Sequence, residues 1–264
     1  MTEEKTWAYK DMQVAYTIAG KPSAEAIVFL HPAFADRSVF QYQTAYFQKD
    51  YFVITVDMTG HGQSQLNQKQ VDMGDMPDII KGVCDASGVT RAHLVGVSLG
   101  SLVAQAVAQA YPELAASVTI VGGYSIHKDN QSILKAQKKE ILRWTWRMLV
   151  SIEALKQDIV TKSASSEEGQ AILKASVSAF TRRSSRGMAG MRRLFIERET
   201  PVPYPLLIVV GESDMPLIRE AGERLKALEP GSQFKLIQGA GHCANIDNPM
   251  AFNAVLEAFL AQLK

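Results

Sequence analysis

Ser98, Asp214 and His242 are the side chains whose types and settings could do covalent chemistry. A serine hydroxyl is a poor nucleophile at neutral pH. It needs a base, the base needs an orienting acid, and the oxyanion formed at an attacked carbonyl needs hydrogen-bond donors. Ser98 stands in Gly96-Val97-Ser98-Leu99-Gly100, directly after the apolar run Ala92-His93-Leu94-Val95. A strand-to-helix turn tight enough to hold a serine at its tip leaves no room for flanking side chains, so Gly96 and Gly100 are demanded by sterics. The backbone N–H of Leu99 then lies at the start of the next helix, where free N–H groups and the helix dipole favour negative charge.

The acid and base follow two later strands. Pro205 to Val210 runs into Gly211-Glu212-Ser213-Asp214, and a carboxylate just past the carboxyl end of a parallel strand lies on the sheet edge where active sites form. Asp214 is the expected acid; Glu212, nearer the strand, reads as a surface residue. His242 closes Gly239-Ala240-Gly241-His242 after the next strand, and the small residues let the loop carry an imidazole back over the sheet. The other four histidines fit less well: His31 and His61 sit in loops, His93 opens a strand and His127 begins the strand-free stretch that follows Ser117 to Val121. A second oxyanion donor is expected from His31-Pro32-Ala33-Phe34. Pro32 has no N–H, which favours Ala33 and leaves Phe34 open.

These residues need elements to position them. Gln13 to Ile18, Ala26 to Leu30, Tyr51 to Val56, Ala92 to Val97 and Ser117 to Val121 read as strands, with helices at about Ser38 to Gln48, Asp75 to Ser87 and Leu99 to Tyr111. Ile27 to Leu30 and Val53 to Val56 are apolar without alternation, as parallel strands covered on both faces must be. From Ile126 to Val202 no strand pattern occurs. Leu134, Ile141, Met148, Ile152, Leu155 and Ile159 recur there at helical intervals, and Met188, Met191, Leu194 and Phe195 make a second stripe. Alternation resumes with Pro205 to Val210, a helix at Leu217 to Leu228, a strand at Gln233 to Ile237 and a helix from Pro249 to Leu263. One α/β domain interrupted by a helical insertion is the simplest reading.

Composition narrows the partners. The 264 residues are 47% hydrophobic and carry a net charge of +1, which gives the whole chain no electrostatic case for nucleic acid or a membrane surface. The charged start Met1-Thr2-Glu3-Glu4-Lys5 lacks the apolar core of a signal peptide, and no apolar run approaches a membrane span, so a cytoplasmic protein is expected. Cys84 and Cys243 suit a reducing compartment, Cys84 as a small buried residue. No H-E-x-x-H, spaced Cys/His set, complete dinucleotide fingerprint or P-loop is present, so neither metal nor cofactor is expected and the partner is a small-molecule substrate. Oligomeric state is open between monomer and homodimer. Charge is divided unevenly: residues 126–202 hold 15 Lys and Arg against 8 Asp and Glu, or +7, leaving 13 against 19, or −6, elsewhere. Either these are solvated helix faces, or some of Arg182, Arg183, Arg192 and Arg193 line an entrance that favours anionic substrates.

The chain resembles the α/β-hydrolase family over nearly its whole length. The resemblance rests on His31-Pro32-Ala33-Phe34, Asp57 to Ser64, Gly96 to Gly100, Gly211 to Asp214 and Gly241-His242. It implies a mostly parallel, eight-stranded sheet flanked by helices, with a helical cap inserted after the sixth strand: a core of residues 1–125 and 203–264 and a cap of 126–202. The first loop departs from the family's usual His-Gly, because Pro32 stands in place of that glycine and restricts the loop path. Asp57 to Ser64 resembles a structural turn of the family. The implied activity is hydrolysis of a carboxylic ester, lactone or thioester through an acyl-enzyme on Ser98, with Asp214 and His242 as triad partners. Carbon-carbon hydrolases, cofactor-free haloperoxidases and small-molecule receptors that retain the triad share these motifs.

Overall fold

The computed structural model describes residues 2–67, 70–127 and 131–264. Eight strands form one sheet: β1 (Glu3–Tyr9), β2 (Met12–Ala19), β3 (Ala26–Leu30), β4 (Phe52–Val56), β5 (Ala92–Val97), β6 (Ala115–Val121), β7 (Leu206–Gly211) and β8 (Gln233–Ile237). Their spatial order is β1-β2-β4-β3-β5-β6-β7-β8. The pairs β1 with β2 and β2 with β4 are antiparallel, and all later pairs are parallel. The unalternating apolar runs have a direct cause. Val28 and Leu30 enter a hydrophobic cluster on one face with Ile208 and Val210, while Ile27 and Phe29 enter a cluster on the other with Leu207 and Val209. Successive side chains point to opposite faces, so a strand covered on both must be apolar at every position.

Strand β1 is absent from the sequence reading, although the eight-stranded resemblance required one more strand than the residues suggested. Its alternating exposure turns Glu4, Thr6 and Ala8 toward solvent at the sheet's edge and leaves Lys5, Trp7 and Tyr9 only half-buried, which conceals a strand from an argument based on apolar runs.

Helices α1 (Gln41–Phe47), α2 (Met76–Ala86) and α3 (Leu99–Ala110) cover the first half of the sheet. Between β6 and β7 the described residues hold helices α4 (Gln131–Val150), α5 (Ile152–Ser163) and α6 (Glu167–Val177), two short 3-10 turns and no strand. Leu155, Ile159, Leu173, Val177 and Phe180 from this segment are buried in the same cluster as Ile246 and Phe252 of the last helices. Leu194 enters the opposite cluster, so the inserted segment is rooted on both sides of the sheet. The side chains of Leu134 and Ile141 lie outside the described residues. After β7 come α7 (Pro216–Leu228), β8, the short α8 (Ala244–Asp247) and α9 (Pro249–Ala261).

Candidate active site

Strand β5 delivers Ser98 to its carboxyl end, and α3 begins at the next residue. Ser98 has φ +51° and ψ −114°, a conformation that a side-chain-bearing residue adopts only where its surroundings hold it. Those surroundings are tight. A Cβ added to Gly96 would lie 2.1 Å from the Gly100 carbonyl oxygen, and one added to Gly100 would lie 2.1 Å from that of Leu30. The Ser98 N–H donates to the Val121 carbonyl oxygen at 2.8 Å, tying the turn to the neighbouring strand end.

The three sequence candidates meet here from separate elements. His242 Nε2 lies 2.8 Å from Ser98 Oγ, and His242 Nδ1 lies 3.1 Å from each Asp214 carboxylate oxygen. A carboxylate can only accept, so Nδ1 carries the proton and Nε2 presents its lone pair to the serine hydroxyl. Asp214 also accepts the Met215 N–H at 2.7 Å, and its side chain is closed to solvent. Burial pushes the His242 pKa down, while the charge and hydrogen bond of Asp214 push it up and prevail, leaving it above the usual imidazole value. Glu212 stands apart, exposed, accepting the Gly239 N–H at 3.1 Å.

Sequence reasoning missed two supports of this base. Gly122 has φ +58°, and a Cβ there would lie 2.9 Å from His242 Nδ1, so the glycine at the end of β6 makes space for the ring. Asp247 pins the loop that carries it. Its Oδ2 accepts the Gly241 N–H at 2.8 Å, while Oδ1 accepts the Ser166 N–H and hydroxyl, both at 2.9 Å. Ser165 N–H donates to the same carboxylate, and Cys243 N–H donates to the Ser163 carbonyl at 2.8 Å. The histidine loop is thus stitched to the link between α5 and α6. Asp247 lies five residues beyond His242, a spacing that by itself signals nothing.

The donor left open between Ala33 and Phe34 has a structural discriminator. His61 Nε2 accepts the Phe34 N–H at 3.1 Å, and His61 Nδ1–H donates to the Thr59 carbonyl at 2.9 Å. Phe34 is therefore engaged, while Ala33 and Leu99 both border the space in front of Ser98. His31 makes the parallel arrangement: Nδ1–H donates to the Pro32 carbonyl at 2.8 Å and Nε2 accepts the Met58 N–H at 2.9 Å. Burial depresses both pKa values, that of His61 to about 3, so both rings are neutral struts between the turn at Asp57 to Ser64 and the loop after β3. Asp57 joins that network through Arg37, accepting its N–H at 2.8 Å and pairing with its guanidinium.

A cavity of about 970 Å³ opens over Ser98 and His242, walled by Phe34, Leu102, Tyr124, Leu217 and, from the inserted segment, Trp144, Met148, Met188 and Met191. Its charged lining is Lys135, Asp158 and Lys162, with Lys162 Nζ 3.3 Å from Asp158. None of the four arginines considered for an entrance is among the lining residues. Arg182 donates to the carbonyls of Met148 and Leu149 at 2.9 and 3.0 Å, Arg183 to that of Asn67 at 3.0 Å, and Arg193 pairs with Asp72 and Asp75. Arg192 is exposed. Cys84 and Cys243 are free and buried, and burial raises both thiol pKa values, that of Cys84 to about 12, so neither competes as a nucleophile. Among the described residues no group of three or more His, Cys, Asp and Glu side chains is clustered to hold a metal. No helix among them is long and apolar enough to cross a membrane.

A family model described as "Alpha/beta hydrolase family" matches residues 27–255. The chain is 23% identical over 267 residues to 3-oxoadipate enol-lactonase 2 of Acinetobacter baylyi, covering 97% of this chain and 96% of that one. It is 27% identical over 272 residues to a 2-hydroxy-6-oxononadienedioate/2-hydroxy-6-oxononatrienedioate hydrolase of Paraburkholderia phymatum, covering 96% and 92%. A thermophilic esterase from Thermogutta terrifontis shares the fold with a TM-score of 0.81 at 18% identity, over 100% of this chain and 99% of that one.

Proposed function

The chain belongs to the alpha/beta hydrolase family, and from that premise we propose that it is a serine hydrolase cleaving a carboxylic ester or lactone of a small to medium substrate. The observation that carries this reading is the continuous link from Ser98 Oγ through His242 to the buried Asp214, at the floor of a largely apolar cavity. Ser98 Oγ attacks the substrate carbonyl as His242 Nε2 takes its proton. Asp214 holds the resulting imidazolium, and the N–H groups of Leu99 and Ala33 bind the oxyanion. The carbon-oxygen bond breaks, His242 returns the proton to the leaving alcohol, and water activated by the same ring hydrolyses the acyl-serine.

Residues 126–202 act in this reading as a cap that encloses the substrate, because Trp144, Met148, Met188 and Met191 form the cavity wall facing the core. Flexible methionines suit an apolar substrate portion of variable shape. The enol-lactonase and esterase relatives support acyl-oxygen cleavage, and the dienedioate hydrolase relative makes carbon-carbon cleavage the reading to test against it.

Labelling with a fluorophosphonate, combined with turnover of short and medium p-nitrophenyl esters, lactones and β-diketones, tests the proposal. Labelling confined to Ser98 with turnover of esters or lactones is the expected result. Turnover of β-diketones alone would overturn the substrate class. No labelling and no turnover, despite ligand binding, would overturn the enzyme.

A further inference from the structure

The whole-chain charge of +1 conceals an uneven surface. Helix α4 carries Lys135, Lys138, Lys139, Arg143 and Arg147 against Glu140 in its own sequence, with Arg143 and Arg147 sharing Asp158 of α5 at 3.0 and 3.4 Å, within a segment of net charge +7. Four of its large apolar side chains face water: Leu142, Trp146, Leu149 and Val150, at 72%, 67%, 68% and 65% exposure. Their spacing of four, three and one residues puts them on one stripe of the helix. Trp144 and Met148, from another face of α4, line the cavity over Ser98. The helix therefore has an apolar face for the cavity and a second apolar face left open to solvent among the described residues.

We propose that α4 docks on an anionic phospholipid bilayer, with Leu142, Trp146, Leu149 and Val150 at the boundary between headgroups and acyl chains. Apolar residues including tryptophan, on a helix rich in Lys and Arg, are the signature of an element that lies in a membrane interface without spanning it. Charge favours this occupant. A bilayer bearing anionic headgroups complements the net charge of +7 on residues 126–202, whereas a second copy would bring the same positive segment against itself. Area points the same way: the stripe exposes on the order of 500 Å², large enough to be functional yet short of the roughly 800 Å² per partner in a stable protein interface. Docking leaves α4 between the bilayer and the cavity.

Co-sedimentation of the full chain with phosphatidylcholine vesicles, with and without about a third phosphatidylglycerol, tests the proposal. Binding should be about tenfold or more tighter to the anionic vesicles, weaken as salt rises, and shift Trp146 emission to shorter wavelength. A variant combining Leu142→Ser, Trp146→Ser and Leu149→Ser should unfold at the wild-type temperature and lose at least about tenfold in vesicle affinity. Trp146→Ser alone provides a milder control with a smaller loss. The proposal is overturned if the wild-type chain stays in the supernatant with both vesicles, or if the triple variant binds as well as wild type. A lipid-free dimer that the triple variant dissolves would overturn it too, by assigning the stripe to a second copy.

Discussion

Ser98, His242 and Asp214 lie more than a hundred residues apart at their widest yet meet within hydrogen-bonding distance, and the proton inventory of that group makes its chemistry testable. The base works only when Nε2 is unprotonated. Burial lowers the His242 pKa and Asp214 more than restores it, so kcat/KM should rise with pH along a limb centred above the ordinary imidazole value of about 6.5. Asp214→Asn removes the opposing charge and the acceptor that fixes the tautomer. A pH-rate series on a p-nitrophenyl ester should show the limb displaced to lower pH and kcat reduced on the order of 10⁴-fold. These three residues were legible because each follows a strand end in a recognisable local setting. Gly122 was not, since its importance is a 2.9 Å approach to a ring 120 residues away in sequence, and Asp247 was hidden for the same reason. The loop alone favoured Ala33 over Phe34 as the second donor, and the His61 ring that engages the Phe34 N–H adds an argument for the same proposal that the loop's sequence does not contain.

Loops, rather than strands, decide how well the site is held. His31 and His61 are buried neutral struts with ring centroids 5.1 Å apart, and protonating either would put a charge in the core and remove the Nε2 acceptor of the Met58 or Phe34 N–H. Their folded pKa values lie below the unfolded value of about 6.5, so the unfolded chain binds protons first as the solution is acidified. The stability they contribute is whole above about pH 6.5 and is lost as pH falls toward the folded values, by up to about 1.4 kcal/mol per pH unit for each ring. Chemical denaturation between pH 7.5 and pH 5 should show that loss, with a flatter dependence in His61→Gln, whose amide oxygen can still accept the Phe34 N–H. At the histidine loop, Asp247→Ala strips the acceptor from Gly241, Ser165 and Ser166. Such a loss should cost about 1–3 kcal/mol of stability. Steady-state kinetics should show a lower kcat with KM changed less, because the base is misplaced while the apolar cavity remains. Most strands were readable from unbroken apolar runs, which two-sided burial enforces. Strand β1 escaped because an edge strand buries little, and its glutamates and lysine look like any charged terminus.

At the scale of the whole molecule, a sheet carries Ser98, Asp214 and His242 at its strand ends, and the segment between β6 and β7 supplies part of the cavity wall over them. The break in strand rhythm at Ile126 and its resumption at Pro205 match a strand-free stretch among the described residues between β6 and β7, but charge counting could not say which cations face the cavity. The structure places Arg182 on the carboxyl end of α4, Arg183 on the Asn67 carbonyl and Arg193 on Asp72, all outside the cavity lining. Reversing these charges should leave the kcat/KM ratio for anionic and neutral esters within about twofold of wild type, since exposed charges at a distance are screened by salt. Changing Lys162, which does line the cavity, should alter that ratio more. The central claim is that Ser98 carries the acyl group, and the most direct test is kcat/KM for short and medium p-nitrophenyl esters measured on wild type and Ser98→Ala side by side. The expected result is wild-type turnover that falls on the order of 10⁴-fold or more in the variant, to the residue left by binding and the oxyanion donors. Turnover that survives in Ser98→Ala would contradict it.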